Sequence, residues 1–566
     1  CPTGNTAFML MFGNAEATEQ AFTGAKHVVS LRLENNRLCG NAIEPRVALG
    51  SYEAADEAYT LYSTTQNPHG VRSALAGHVF HVAETKMRVI SPDVGGGFGP
   101  KGGPYPEDAL VLWASRRIGR PVKWLQTRGE CLLGDNHARD QVIRGELALD
   151  ADGRILGLRA QALSALGGYQ SEPGMIPVLF SMSYIPSVYD IKALHVSAKA
   201  VFTNAAPTGP YRGAGRPEAN YFMERMLGEA ARVMGLDPVE LHRRNYIAPE
   251  ALPYKTQTGN TYDSGEFAVS MEKCLRLADW QGFEARRAAS GKAGLLRGRG
   301  LGYFIEPGGI FNDRMELRFD PSGMVSIVAG THSHGQGHAT VYAQMVSQWL
   351  GVPFESIRFV QGDTDQVPFG RGTYAARSSM IGGCALRNAA DVVIDKAKVM
   401  AAHLMEAAAA DVEFREGVFR IAGTDRQMAM VDVAKAFYRP VGIPRHIGLG
   451  LEGAGSYEGP PNFPNGCHAC EVEIDPETGV VTMAHYTAID DVGVALNPMI
   501  CEGQIVGGVV QGIGQALLEH VVYDRESGQL LSGSFTDYAM PHADTIPAFA
   551  IGWHDVPAKT NLLGVK

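Results

Sequence analysis

Four stretches of the chain share one pattern of hydrophobic and polar positions. In each, a run of alternating apolar residues reaches an acidic turn containing glycine, and a second apolar run follows. Alternation on both sides of such a turn is typical of a β-hairpin. The four stretches are LALDADGRILGL (147–158), LRFDPSGMVSIV (317–328), VEIDPETGVVTM (472–483) and VVYDRESGQLLS (521–532). Their recurrence predicts α+β units built from similar parts.

Helical patterns lie between the predicted hairpins. Residues 217–235 begin with proline, which is favoured in the first turn of a helix, and end in glycine. Residues 338–351 place apolar side chains on one helical face, and residues 356–363 predict a strand. The stretch GTHSHGQGHAT (330–340) therefore connects a strand to a helix, where backbone N–H groups point outward and can bind an anion.

The polar segment 281–300 is the best candidate for a linker because it is rich in small and charged residues. It divides the chain into halves of similar size, 1–280 and 301–566. A chain of 566 residues is too long for a single core. We predict an α+β fold with two similar-sized α/β domains and a ligand held between them.

Composition and charge exclude several classes of function. The net charge of −10, from 50 basic and 60 acidic residues, provides no basic surface for nucleic acid. No apolar run reaches the roughly 18 residues of a membrane span. The scattered cysteines fit a reducing compartment, so we expect a cytoplasmic protein, and we interpret the CHAC motif (467–470) as structural thiols. The eight cysteines are Cys1, Cys39, Cys131, Cys274, Cys384, Cys467, Cys470 and Cys501.

Glycine is in excess, with 67 of 566 residues, about 12% against ~7% in average proteins. The glycines cluster in short loops, as expected where the backbone approaches a ligand closely. The clusters are DVGGGFGPKGG (93–103), RGAGR (212–216), SHGQGH (333–338) and GGVVQGIG (507–514). The chain has no nicotinamide fingerprint, P-loop or nucleophile-elbow motif.

Eight motifs, taken in order, closely resemble the molybdopterin-binding large subunits of the xanthine dehydrogenase / aldehyde oxidase family. The similarity is strongest to the bacterial branch related to aerobic carbon monoxide dehydrogenase, and it covers nearly the whole chain. The motifs are STTQNPHG (63–70), SPDVGGGFGPKGG (91–103), PYRGAGRPEA (210–219), SHGQGHAT (333–340), QGDTDQVPFGRGTYAARS (361–378), LNP (496–498), VVQGIGQAL (509–517) and TNLLGVK (560–566).

The resemblance implies a molybdenum hydroxylase that oxidises an aldehyde or an aromatic N-heterocycle with water as the oxygen source. It implies a molybdenum cofactor in the molybdopterin cytosine dinucleotide form, with the metal held by the pterin and not by the protein. The chain has neither an iron–sulfur cysteine spacing nor a flavin fingerprint. We therefore expect 2Fe–2S and FAD on an iron–sulfur small subunit and an FAD medium subunit, assembled as a dimer of heterotrimers.

The resemblance also assigns residues near the metal. Gln66 matches the glutamine that hydrogen-bonds the apical oxo group, and an amide suits this role because it donates without adding charge. Phe98 matches a wall of the substrate cavity. The loop glycines around it would let the backbone approach the cofactor; they are Gly96, Gly97 and Gly99.

Arg212 matches the arginine of a second loop that faces the metal. Gly213 follows it, where true carbon monoxide dehydrogenases have a copper-binding cysteine, so oxidation of carbon monoxide is disfavoured. Gly102 or Gly103 falls where purine-oxidising relatives have a glutamate, and we expect no carboxylate there and a roomier pocket. Other matching residues would line the pterin and the dinucleotide: Gly335, Gln336, Gly337, Thr340, Ser378, Ser379, Gln511 and Gly512.

Both ends of the given sequence are expected to be incomplete, because it begins with Cys1 and stops at Lys566. The family's general base is a glutamate directly after the TN-x-x-GVK motif, so we expect it just beyond Lys566. A carboxylate with a raised pKa is the natural base for this chemistry.

Three other interpretations remain open at this point. One is a zinc hydrolase with His332, His334, His338 and Asp363 as ligands, since His-x-His occurs among metal sites. The second is a true carbon monoxide dehydrogenase subunit, despite Gly213. The third is a cofactor-binding homologue without catalytic activity.

Overall fold

A computed structural model describes residues 4–566 of the chain, and Cys1 lies outside this part. Helices and mixed sheets follow one another along the chain, which confirms the predicted α+β class. The strands up to residue 262 are β1 (Thr6–Gly13), β2 (His27–Asn35), β3 (Leu38–Cys39), β4 (Val47–Glu53), β5 (Ala58–Ser63), β6 (Met87–Ile90), β7 (Val122–Leu125), β8 (His137–Ala138), β9 (Gln141–Leu149), β10 (Ile155–Gly167), β11 (Ala193–Phe202), β12 (Tyr254–Lys255) and β13 (Thr261–Tyr262).

The later strands are β14 (Leu296–Ile305), β15 (Asp313–Phe319), β16 (Val325–Ala329), β17 (Ile357–Val360), β18 (Val412–Arg415), β19 (Val418–Ile421), β20 (Gln427–Ala429), β21 (Glu452–Tyr457), β22 (Asn465–Ile474), β23 (Val481–Asp491) and β24 (Phe549–Trp553). The α-helices are α1 (Ala15–Thr23), α2 (Pro68–Ala74), α3 (Pro106–Ile118), α4 (Arg128–Gly134), α5 (Met175–Ser183), α6 (Arg216–Met234), α7 (Pro238–Asn245), α8 (Phe267–Leu277), α9 (Phe283–Lys292), α10 (His338–Leu350), α11 (Gly383–Leu404), α12 (Met430–Ala436) and α13 (Pro498–Leu517).

Short helical segments of other types connect these elements. Two are π-helical and adjoin α2 and α11, namely Leu75–Phe80 and Ser378–Gly382. The 3₁₀ segments are Glu84–Lys86, Pro100–Gly102, Pro249–Ala251, Trp280–Gly282, Phe354–Ser356, Ala409–Asp411 and Ala543–Thr545.

Four sheets carry most of the architecture of residues 4–566. One half contributes a five-stranded sheet in the order β1-β11-β10-β9-β2 and a four-stranded sheet β6-β5-β4-β7. The other half contributes two four-stranded sheets, β14-β22-β23-β24 and β17-β16-β15-β21. Smaller sheets are β18-β19-β20, β12-β13 and β3-β8.

Three of the four predicted hairpins are antiparallel strand pairs, namely β9–β10, β15–β16 and β22–β23. The fourth, 521–532, is a tight turn with a single bridge between Tyr523 and Leu530. The helix predicted over 217–235 is α6, and Gly235 ends it in the left-handed conformation. The helix predicted after the histidine-rich loop is α10, and the following strand is the short β17.

One hydrophobic core joins strands from both halves of the chain. Helix α6 packs on β2 and β9 with one side and on β14 with another. The same cluster of buried residues includes Phe222 of α6, Ile143 of β9, and Tyr303 and Cys467 of β14 and β22. The segment 281–300, expected as a linker, contains α9 and the first residues of β14.

Two further findings concern localisation and thiols. In the described part of the chain, no helix is both long enough and apolar enough to cross a membrane. The seven cysteines between residues 39 and 501 are all free thiols, and Cys467 is fully buried.

Candidate active site

Gln66 lies between β5 and α2, and its side chain is buried. Its amide oxygen accepts a hydrogen bond from the backbone N–H of Gly99 at 2.8 Å. Its amide nitrogen donates one hydrogen to the carbonyl of Thr373 at 3.1 Å, and the other hydrogen has no acceptor among residues 4–566. Residue 97 must be small, because a Cβ on Gly97 would lie 2.6 Å from the Gln66 side chain. The amide is thus held between two loops with one donor left over.

Phe98 lies in a tight loop that packs on the neighbouring 210–216 loop. Its φ of 55° is left-handed, which is rare for a bulky side chain and is a form of strain found at functional sites. Gly99 follows with φ 114°, and a Cβ there would collide with the carbonyl of Pro210. The carbonyl of Phe98 accepts the backbone N–H of Arg212 at 2.8 Å. The ring is half-buried and packs against Tyr211.

Arg212 connects this loop to helix α13 in the other half of the chain. Its guanidinium donates to the side-chain oxygen of Gln511 at 3.1 Å and to the carbonyl of Gln504 at 2.7 Å. It lies against Gly508, where a Cβ would be 3.5 Å from the guanidinium carbon. Burial lowers the pKa of Arg212. Two residues predicted separately, Arg212 and Gln511, are therefore in direct contact.

A second arginine holds the same loop from behind. Arg139 is buried and donates to the carbonyls of Tyr211 and Arg212 at 3.1 Å and 2.9 Å. Its Nε donates to Gln515 of α13 at 3.2 Å. No motif in the sequence includes Arg139, whose contacts are with residues distant in the chain.

Gly213 has a conformation that an L-residue side chain disfavours. Its φ is 94°, and a Cβ there would collide with the ring of Pro217. Gly215, with φ 100°, packs on the backbone of α5 at Pro177. The loop therefore lies between the Phe98 loop and α5.

The histidine-rich loop leads into α10 and is ordered by its own polar groups. The backbone N–H of His332 donates to the hydroxyl of Thr373 at 2.9 Å. The amide oxygen of Gln336 accepts the backbone N–H of His334 at 2.7 Å, and its nitrogen lies 2.9 Å from Nε2 of that imidazole. Gly337 begins α10 without a side-chain cap, which leaves the first-turn N–H groups free for a ligand.

The three histidines of this loop are kept neutral by burial. Burial lowers the pKa of His332, and it lowers those of His334 and His338 to about 4 and about 3. Nδ1 of each ring is buried without a hydrogen-bond partner. Buried polar groups are nearly always paired, so three unpaired ring nitrogens in one loop are unusual.

Thr373 joins the predicted residues and was not singled out from the sequence. Its hydroxyl contacts that of Ser378 at 3.1 Å, and its carbonyl accepts Gln66. Ser378 is buried at the start of the π-helical segment, and its carbonyl accepts the hydroxyl of Tyr342 at 2.8 Å. Ser379 points to the surface instead.

The remaining predicted residues lie on the surface of α10, on the surface of α13 or in the loop before α10. Thr340 is exposed in the first turn of α10. Gly512 is exposed on α13, and a Cβ there would meet no atom within 4 Å. Gly335 has φ 123° and is likewise open on its Cβ side.

Comparison with known proteins identifies this arrangement. Models of the molybdopterin cofactor-binding domain match residues 2–246 and 273–547. The chain is 35% identical to the nicotine 6-hydroxylase large subunit of Paenarthrobacter nicotinovorans, over 97% of this chain and 69% of that protein. It is 36% identical to the carbon monoxide dehydrogenase large chain of Hydrogenophaga pseudoflava, over 99% of this chain and 72% of that protein. The chain belongs to the molybdenum hydroxylase family.

The fold supports the same assignment. It matches the crystal structure of quinoline 2-oxidoreductase from Pseudomonas putida 86 with a TM-score of 0.93 at 32% identity, over 100% of this chain and 74% of that one. This molybdenum hydroxylase subunit is of the carbon monoxide dehydrogenase-like branch, and it is an oxidoreductase. Its two molybdopterin-binding regions confirm the predicted cofactor class.

The residues present fit a molybdenum cofactor. Gln66 retains one amide hydrogen, and the N-terminus of α10 has no side-chain cap. Such neutral donors suit the oxygen atoms of a pterin and a pyrophosphate.

The structure does not support a zinc site formed by His332, His334, His338 and Asp363. Within the described residues, no three side chains of histidine, cysteine, aspartate or glutamate are placed to hold a metal ion. Asp363 is engaged elsewhere, in an ion pair with Arg88 at 2.6 Å. Nε2 of His332 lies 3.0 Å from the carbonyl of Ser91.

One contact near the expected pocket was not foreseen from the sequence. The sequence predicted no carboxylate at the Gly102–Gly103 position, but the side chain of Glu172 reaches it from another loop. A Cβ built on Gly103 would lie 3.3 Å from Oε2 of Glu172. The sequence could not predict this contact, because Glu172 lies in a loop before α5 that matches none of the quoted motifs.

Proposed function

We propose that this molybdenum hydroxylase subunit oxidises an aromatic N-heterocycle or an aldehyde, with the N-heterocycle as the favoured class. Support comes from relatives that are named for nicotine and for quinoline. The observation that carries the proposal is the fixed amide of Gln66, which faces a loop where Gly102 has no neighbour within 4 Å of a Cβ position. A bulky planar substrate needs such open space beside a fixed donor.

The chain's own residues would hold the cofactor and orient the substrate. When bound, the molybdenum cofactor supplies the redox centre at which a carbon is hydroxylated with oxygen from water. Gln66 would donate its remaining N–H beside this centre, and Phe98 would position the ring of the substrate. The N-terminus of α10 and the buried polar groups around Thr373 would hold the pterin and its nucleotide.

Arg212 would fix the relative positions of the two halves of the site. It fixes the Phe98 loop to α13 through Gln511, so a shift of the helix would move the substrate wall. Arg139 backs this contact by holding the carbonyls of residues 211 and 212. Placement errors of about 1 Å at such a site can cost about a hundredfold in rate.

Oxidation of carbon monoxide is disfavoured. Gly213 provides no thiolate for copper, and Pro217 occupies the space that a side chain there would need. The glutamate expected beyond Lys566 remains our prediction for the general base. We further propose the cytosine dinucleotide form of the cofactor, and partner subunits that carry 2Fe–2S and FAD.

The test uses the complex purified with its partner subunits. Metal analysis and acid release of the nucleotide should give molybdenum and cytidine monophosphate. Dye reduction with a panel of pyridines, quinolines and aldehydes should reveal turnover, and ¹⁸O from labelled water should appear in the product.

Different failures contradict different parts of the proposal. Turnover of carbon monoxide alone would overturn the argument from Gly213. A complex that is fully loaded with cofactor but oxidises no member of the panel would support a non-catalytic homologue.

A further inference from the structure

Glu172 lies in the loop that precedes α5 and reaches toward the Phe98 loop. Its carboxylate is the one group within 4 Å of the Cβ position of Gly103. At the neighbouring Gly102 the same construction meets no atom within 4 Å. The carbonyl of Lys101, directly before these glycines, accepts the backbone N–H of Gln66 at 2.9 Å. Gly103, which the Glu172 carboxylate approaches, is therefore two residues along the chain from a direct backbone contact with Gln66.

The loop that carries Glu172 is fixed to the active-site loops. The hydroxyl of Ser171 is buried and donates to the carbonyl of Thr208 at 2.9 Å. Gly174 then donates its backbone N–H to the carbonyl of Ser171 at 2.9 Å. Farther along, α5 packs on Gly215. The position of Glu172 therefore follows from the same loops that position Phe98 and Arg212.

Within residues 4–566, the Glu172 side chain forms no ion pair or hydrogen bond. The nearest cation in the sequence neighbourhood of the glycines is Lys101, and it is engaged elsewhere. Its ammonium donates to the carbonyl of Glu44 at 2.8 Å and pairs with the Glu44 carboxylate at 3.2 Å. Glu172 is exposed and thus remains a negative charge that the protein does not neutralise.

We propose that Glu172 is a specificity-determining residue that selects substrates with a cationic group. This inference rests on the proposed function and narrows its substrate class to N-heterocycles that carry a protonated amine on a side chain. The ring would pack against Phe98 near Gln66, and the ammonium would lie in the open space at Gly102 and Gly103 beside the carboxylate. A cation in a partly exposed pair of this kind gains about fivefold in affinity.

The experiment compares two probes of nearly equal shape on the purified complex. One is 3-(aminomethyl)pyridine, whose amine is protonated near neutral pH, and the other is the neutral 3-ethylpyridine. For the native complex we expect binding of the cationic probe, measured by calorimetry, to exceed that of the neutral probe by about fivefold. In Glu172→Gln this preference should disappear, while the affinity for the neutral probe stays the same. Where the probes are turned over, the change should appear in KM and not in kcat.

Two variants serve as controls. Glu477→Gln removes an exposed carboxylate from the turn between β22 and β23, far from the site in the fold, and should leave the preference unchanged. Glu172→Asp keeps the charge on a shorter side chain and should restore part of the preference.

The outcomes separate this inference from the proposed function. Equal preferences in the native complex and Glu172→Gln would overturn the role of Glu172, even if heterocycles are oxidised. A loss of affinity for both probes alike would show a merely structural role and would overturn it as well. Failure to oxidise any heterocycle or aldehyde, with the charge preference in binding intact, would instead contradict the proposed reaction alone.

Discussion

The side-chain amide of Gln66 donates to the carbonyl of Thr373, a residue 307 positions farther along the chain. The backbone N–H of Thr373 donates in return to the carbonyl of Gln66 at 3.1 Å. These two hydrogen bonds connect the loop after β5 with the loop before α11. The side-chain amide of Gln66 is therefore oriented by both molybdopterin-binding regions at once.

Substitution of Gln66 tests this arrangement. Gln66→Ala removes the remaining N–H donor and leaves the buried N–H of Gly99 and carbonyl of Thr373 unpaired. We expect kcat to fall by about a hundredfold, as for loss of a positioned donor, and the unfolding free energy to fall by about 1–3 kcal/mol. Steady-state kinetics and calorimetry of the complex measure both effects. A kcat within twofold of the native value would contradict the role of Gln66, and Gln427→Ala, on the three-stranded sheet, serves as the control.

Substitution of Arg212 separates its geometry from its charge. Arg212→Lys keeps the positive charge but cannot reach both Gln511 and the Gln504 carbonyl with a planar group. We expect kcat/KM to fall by about tenfold or more, since the Phe98 loop would no longer be fixed to α13. If the lysine variant retained full kcat/KM, charge alone would suffice and the contact with α13 would have no catalytic importance.

Restoring a cysteine at position 213 should not produce a carbon monoxide dehydrogenase. Gly213→Cys places a side chain at φ 94° and against the ring of Pro217, so we expect about 1–3 kcal/mol of destabilisation. The matched control is Gly102→Ala, where a Cβ meets no neighbour within 4 Å and stability should be almost unchanged. Calorimetry of both variants measures the change in stability, and copper analysis shows whether either variant binds the metal. Copper binding with carbon monoxide oxidation in Gly213→Cys would refute the prediction.

Stability should depend on the protonation of Glu519, which follows α13. Burial raises the pKa of its carboxyl to about 7 from an ordinary value of 4.5, although Tyr538 donates to it at 2.8 Å and Arg139 is nearby. The folded state holds this proton more tightly, so its stabilising contribution is complete below pH 4.5 and is lost as the pH rises through 7. The loss amounts to about 3 kcal/mol.

The variant Glu519→Gln should remove this dependence. Thermal unfolding between pH 5 and pH 8 should show a smaller decrease in Tm for the variant than for the native complex, and the variant should be the more stable of the two at pH 8. Parallel Tm curves for the two proteins would show that Glu519 does not titrate in this range.

Local signals in the sequence predicted those elements whose pattern is set within a few residues. Hairpins such as 147–158 and helices such as α6 and α10 depend on side-chain alternation, a first-turn proline and a terminal glycine, which act over a few residues. The glycine-rich loops were also visible, because close backbone approach requires glycine wherever it occurs, as at Gly97 beside Gln66.

Residues that act through distant partners could not be predicted in this way. Thr373 lies inside the motif 361–378, but the motif does not single it out, and Arg139 and Glu172 lie outside every motif. All three make contacts with atoms far away in the chain. The three histidines supported the alternative zinc interpretation for the opposite reason. Their spacing resembles a metal site, but burial keeps their rings neutral and their neighbours are carbonyls and an amide.

The core that combines α6 with β9, β14 and β22 has a consequence for assembly. The first half of the chain cannot complete this cluster alone, since Phe222 and Tyr303 belong to it together. After the first half has been synthesised, part of its apolar surface therefore stays accessible until β14 and β22 have been synthesised and pack on it. We therefore expect a ribosome-bound nascent chain to expose this apolar surface until both strands are available to cover it.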